Sequence, residues 1–290
     1  MSGLRQLHGK MHGSELTARG RPITGTAFEG ARERTGAARY ARLVGDYFSP
    51  PRTRCMLLGR DHSGQQVLHM PTFSPRLDFL PEAQRRLWGE LSAVPDEFTL
   101  YGGTALALHL GHRKSVDFDF FGSRAIDVTS LETGIPFLAG ARIVQRDENT
   151  LTAIVDRGAP VKVSFFGAPP VTAKDNALKI ASLLDLAGTK ASVLQVRAAA
   201  RDYIDMDALI QLGGVDLPFA LAAAQKLYGS SFNPEITLKA LSYFEDGDLR
   251  KLSTDMKFRL AGAVSKVDLD HLPSLDDFKV RPSRDRGLSV

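Results

Sequence analysis

The chain has 290 residues, 43% hydrophobic and 24% charged, the balance of an ordinary globular protein with enough length for one or two domains and a sizeable core. Its single cysteine, Cys55, excludes an intramolecular disulfide and any zinc site built on several thiolates. It points to a reducing, cytoplasmic setting. No apolar run approaches bilayer length and no signal-peptide core opens the chain, so a membrane partner is not expected. The isoelectric point of about 9.2 would suggest an acidic partner. The excess sits in residues 1–60, however, where 11 Lys and Arg face 4 Asp and Glu; the rest of the chain is slightly acidic.

Residues 1–70 are rich in Gly, Arg, Ser and Thr and poor in periodic apolar positions. They read as a disordered leader or a misassigned start, with Met56 and Met70 as alternative initiators, in preference to a nucleic-acid-binding arm. A short helix over Ala37 to Tyr47, stopped by Pro50 and Pro51, is the one element expected there. From Leu77 to Leu91 the apolar stripe Leu80, Leu87, Trp88 and Leu91 predicts a packing helix with Pro81 in its first turn and Trp88 in the core.

The next stretch, Tyr101 to Phe121, specifies chemistry. Phe98 to Tyr101 reads as a strand entering Gly102 and Gly103, and Thr104 to Leu110 contains strong helix formers with no breaker before Gly111. In Val116 to Phe121, Asp117 and Asp119 alternate with Val116, Phe118 and Phe120. On a strand the two carboxylates therefore share one face and the apolar residues face a core. Such a pair suits Mg²⁺, with Mn²⁺ the alternative, held together with substrate phosphates; a glycine turn at a helix start is an anion site. Arg113, Lys114 and Ser115 lie between the two features. Each feature alone is also what an ordinary turn or a solvated sheet face would show, and their combination favours the cation site.

A short helix over Asp127 to Leu138 is expected next. Three strands follow, over Ala141 to Val144, Leu151 to Val155 and Val161 to Phe166, the last two joined as a hairpin by Asp156 to Pro160. From Ser182, a helix N-cap, the period is helical to about Lys266, with further helices over Pro218 to Tyr228, Pro234 to Phe244 and Thr254 to Val264, and a loose tail from Asp276. Lys190, Arg197 and Arg201 fall at i, i+7 and i+11, one helical stripe, and Asp202 and Asp205 are one turn apart. The expected fold is α+β, a mixed sheet over residues 71–181 followed by a helical half over 182–290.

Tyr101-Gly-Gly-Thr-Ala-Leu, His112-Arg-Lys-Ser-Val-Asp-Phe-Asp-Phe-Phe121, Asp185-Leu-Ala-Gly-Thr-Lys190 and Arg197 with Arg201-Asp-Tyr-Ile-Asp205 together resemble the AbiEii/AbiGii toxin-like nucleotidyltransferases, in the polymerase-beta-like superfamily. The resemblance spans about residues 77 to 265 and implies an NTP bound in a cleft between the two halves. It implies triphosphate contacts from Gly102, Gly103 and Thr104, a metal and triphosphate site of Ser115, Asp117 and Asp119, phosphate neutralisation by Lys190 with Arg113, Arg197 and Arg201, and a further acid in Asp202 or Asp205. An RNA or tRNA acceptor, a cognate antitoxin and a role in abortive infection are implied as well. A nucleotide-binding regulatory module or a small-molecule modifier are the alternatives. Two positions depart from the family pattern. Ser164 stands where many superfamily members place a third carboxylate, and Arg201 replaces the usual lysine.

Overall fold

The computed structural model describes residues 74–122, 124–167 and 180–279, together with the backbone of a two-stranded ribbon, β1 (Leu58–Arg60) and β2 (Gln66–Leu68). The leader helix, the alternative initiators and the tail beyond Lys279 lie outside the described residues.

The stretch from Leu77 to Leu91 is not one helix. A 3-10 turn (Leu77–Phe79) precedes α1 (Glu82–Trp88), and a second 3-10 turn (Gly89–Ala93) follows it. Pro81 stands just outside α1 as its N-cap, and Leu80 before it is extended (ψ 134°), the conformation a following proline imposes. The stripe itself packs as expected: Leu80, Leu87 and Leu91 are buried, and Trp88 lies 6.4 Å from the Phe118 ring.

β3 (Phe98–Tyr101) runs directly into α2 (Gly102–Leu110), which ends at Gly111 in the left-handed region (φ 59°). β4 (Asp117–Gly122) returns antiparallel to β3, and α3 (Val128–Gly134) leads to β5 (Arg142–Asp147), β6 (Thr150–Asp156) and β7 (Pro160–Gly167). The strand order is β3-β4-β7-β6-β5; β4 and β7 are parallel and every other pair is antiparallel, so the sheet is mixed. Period-two alternation divides it into two faces. Phe118, Phe120, Val163 and Phe165 fill the α1 side, where Phe120 stacks on Phe165 at 5.3 Å. Asp117, Asp119, Lys162 and Ser164 occupy the other. Val116, expected in the core, is 62% exposed because it precedes the strand.

The helical half comprises α4 (Leu183–Val193), α5 (Ala200–Gln211), α6 (Leu217–Tyr228), α7 (Pro234–Ala240) and α8 (Thr254–Val264). α7 stops short of Phe244: the Ala240 carbonyl accepts the Tyr203 hydroxyl (3.0 Å) and the Tyr243 N–H (3.2 Å), closing a turn. A 3-10 turn (Leu275–Asp277) capped by Ser274 orders the start of the tail, and Phe278 packs edge-on against Phe219. One continuous apolar core runs from Leu80 to Leu260 through sheet and helices. No helix among the described residues is long and apolar enough to cross a membrane.

Ser182 caps α4 by accepting the Asp185 N–H, while its hydroxyl donates to Asp185 Oδ2 (2.7 Å). Asp185 is buried, and burial pushes its carboxyl up to about 7 against the pull of the Ser182 hydrogen bonds. A raised acid stabilises the fold at pH values below its unfolded pKa, and that contribution is lost as pH climbs through about 7. Asp185→Asn should therefore raise stability at pH 8 by on the order of 2–4 kcal/mol and match wild type near pH 4, read from melting curves at both pH values. The helix dipole, about 0.3–1 kcal/mol in favour of the charge, is too small to reverse the sign.

Candidate functional site

The glycine turn is moulded around the carboxylates. Gly102 has φ 76°, and a Cβ there would stand 2.7 Å from Asp119 Oδ2. At Gly103 a Cβ would meet Arg113 Nη2 at 2.6 Å and Ser115 Oγ at 2.9 Å. The start of α2 thus lies against Asp119, Arg113 and Ser115 with no room for a side chain unless they shift; the first N–H groups of a helix have no partner within it. Gly102→Ala combines backbone strain with a collision; a stability loss of about 1–3 kcal/mol is expected, together with loss of NTP binding, checked by melting and calorimetry.

Asp117 and Asp119 project from the same face of β4, as expected, and both are partly buried. Burial first, and the Asp117 charge second, push the Asp119 carboxyl up to about 6, against Lys162, Lys190 and Arg197. Two desolvated like charges on one strand face are the chemistry that a cation relieves. Among the described residues no group of three or more His, Cys, Asp or Glu could hold a metal ion. Two oxygen donors alone fit a hard cation that completes its shell with water and phosphate, and do not fit zinc.

Behind this pair lies a buried ion network on α5. Asp202 and Asp205 side chains have 0% exposure. Lys190, from α4, bridges them at 2.7 Å to each. Arg113 forks onto Asp205 (Nε–Oδ1 2.6 Å, Nη2–Oδ2 2.8 Å), and Arg197 holds Asp202 through Nε (2.6 Å) and Nη2 (3.0 Å). His112 Nε2 lies 2.7 Å from Asp205 Oδ1; as the carboxylate only accepts, Nε2 is the protonated nitrogen. Burial opposes ionisation of Asp202 and Asp205, yet Lys190 and the arginines hold both carboxyls below the usual range, Asp205 far below. Burial would likewise depress Lys190, and Asp202 and Asp205 overcome it, holding the ammonium above its ordinary value.

The structure brings Gly102, Gly103, Arg113, Ser115, Asp117, Asp119, Lys190 and Arg197 into one region and alters the reading of four others. Lys190, Arg197 and Arg201 do not form one stripe, because α4 ends at Val193 and α5 begins at Ala200; Lys190 and Arg197 meet through Asp202, while Arg201 is exposed. Asp202 and Asp205, expected as the further acid, are each engaged by cations, Asp202 by Lys190 and Arg197 and Asp205 by Lys190 and Arg113, a geometry that places all three cations. Thr104, expected at the triphosphate, is 1% exposed and its hydroxyl is donated to the Asp117 carbonyl, so the side chain ties α2 to β4. Ser164 does sit beside Asp119 in the parallel register, buried and accepting the Thr152 hydroxyl (3.2 Å). Sequence reasoning assigned no role to Lys162, whose Nζ is 2.8 Å from Asp117 Oδ2, or to His112. The Lys-x-Ser alternation beside the carboxylate strand was the available signal for Lys162.

Paired carboxylates set against a glycine turn and backed by lysine and arginine are an arrangement that suits transfer of a phosphorus-containing group. The family profile described as nucleotidyl transferase AbiEii toxin, type IV toxin–antitoxin system, matches residues 85–281, more than half of the chain. The chain belongs to this family of toxin nucleotidyltransferases and is an enzyme of that class. An uncharacterized protein of Aquifex aeolicus (strain VF5) is 33% identical over 161 residues, spanning 53% of this chain and 76% of the relative. Among solved structures, a candidate nucleotidyltransferase from H. pylori is 18% identical at a TM-score of 0.42, covering 63% of this chain and 92% of its own. The nucleotidyltransferase toxin MenT4 of Mycobacterium tuberculosis is 15% identical at a TM-score of 0.44, covering 65% and 83%.

Proposed function

We propose that the protein transfers NMP from an NTP to an acceptor hydroxyl on RNA, tRNA in particular, in a Mg²⁺-dependent reaction, as the cytoplasmic toxin of a pair with a cognate antitoxin in abortive infection. The observation that supports this reading is the packing of Gly102 and Gly103 against Asp119, Arg113 and Ser115, as a phosphate site at the start of α2 would require. Asp117 and Asp119 would hold the cation; Mn²⁺ would serve as well. When bound, the cation polarises the phosphates and offsets the charge that develops as pyrophosphate leaves. The α2 N-terminus, Ser115 and Arg113 orient the triphosphate, and Lys190, fixed by Asp202 and Asp205, sets a positive potential over it. Arg197 extends that potential from the α5 side.

Purified protein with labelled NTP, Mg²⁺ and total tRNA should yield labelled tRNA. Absence of label on RNA, protein and small molecules with every NTP would refute the reading. Ser164 in place of a third acid favours a second reading, a nucleotide-binding module without turnover, whose signature is Mg²⁺-dependent NTP binding by calorimetry with no product. Label on an aminoglycoside or metabolite, with none on RNA, would identify a small-molecule modifier instead.

A further inference from the structure

Among the described residues, Lys162 is the cation that stands on the sheet beside the carboxylates. β7 runs parallel to β4, with Lys162 beside Asp117 and Ser164 beside Asp119 on the same face. The position flanking Asp119, where a third metal-binding acid could have been, is a serine that is 3% exposed, and its hydroxyl accepts from Thr152. The position flanking Asp117 is an ammonium 2.8 Å from Oδ2.

We propose that Lys162 is the resident counter-ion of Asp117 and that an incoming divalent cation must displace it. This rests on the reading of Asp117 and Asp119 as the cation-binding pair.

Exposure decides that the lysine moves. The side chains of Lys162 and Asp117 are 38% and 29% exposed, and an ion pair open to water contributes little. The Lys190 pairs, by contrast, are sealed at 8% and 0% exposure and would leave uncompensated buried charge if broken. The Lys162 tether is therefore the one that a metal can open.

The test is Mn²⁺ titration followed by electron paramagnetic resonance on wild type, Lys162→Met, Lys162→Gln and Asp119→Asn, without nucleotide. Both lysine variants should bind Mn²⁺ tighter than wild type, by on the order of tenfold, because the competing positive charge is gone. The glutamine variant guards against a folding defect specific to methionine. Asp119→Asn should bind none. Equal or weaker binding in both lysine variants overturns the lysine proposal while leaving the carboxylate reading in place. No Mn²⁺ in any of the four proteins overturns both.

Discussion

Asp119→Asn is expected to slow nucleotide transfer by about a thousandfold or more while leaving the fold intact and, above pH 6, more stable. A thousandfold loss corresponds to about 4 kcal/mol of transition-state stabilisation, the scale of removing a charge that organises the reacting phosphates. The replacement is isosteric, so Gly102 still packs on an oxygen or nitrogen in the same place, and the loss cannot come from a cavity. Stability should move the other way. The Asp119 carboxyl is pushed up to about 6, so its contribution to the apo fold is present at pH 4 and lost as pH rises through 6. At pH 8 without divalent cation the variant should gain on the order of 1–2 kcal/mol, a figure discounted for the solvent that still reaches the carboxylate. Single-turnover transfer assays and melting curves at pH 5 and pH 8 in chelator read both effects. Transfer within tenfold of wild type would remove Asp119 from the reaction centre.

What the sequence made legible was local. Gly102-Gly103 followed by helix formers, the Asp-Phe-Asp-Phe alternation, the hairpin at Asp156 to Pro160 and the Ser182 cap each depend on residues within a few positions, and each forms as read. The α+β class follows from the same local periods. What stayed hidden was long-range pairing. Arg113 and His112 reach Asp205 across 92 and 93 residues, and no helical or strand period encodes that meeting. The stripe of Lys190, Arg197 and Arg201 failed for a related reason: spacing counts along an unbroken helix, and residues between Val193 and Ala200 break it without a proline to announce the break. Lys162 required the β4/β7 register, which is set by sheet order.

The same long-range network carries the second large effect. Asp205→Asn should destabilise the protein by about 3–5 kcal/mol, because it removes one of two fully buried carboxylates and leaves Lys190, Arg113 and His112 facing an amide. A lowered acid contributes stability that is present above its unfolded pKa and is lost only as pH falls through the folded value. Asp205 is held far below the ordinary range, so its contribution should survive to pH 4, where surface ion pairs are already failing. Denaturant melts at pH 4 and pH 7 should therefore show the wild-type advantage over Asp205→Asn at both. Transfer activity will fall too, but through displacement of Lys190 and Arg113. That origin is separable from loss of a general base by the pH–rate profile: a positioning residue lowers the whole curve, whereas loss of a base removes its acidic limb. A double-mutant cycle with Lys190→Met sharpens the assignment. If the two residues act as one buried pair, the second substitution should cost at least 1 kcal/mol less in the background of the first than in wild type. Strict additivity would show that Asp205 acts independently of Lys190.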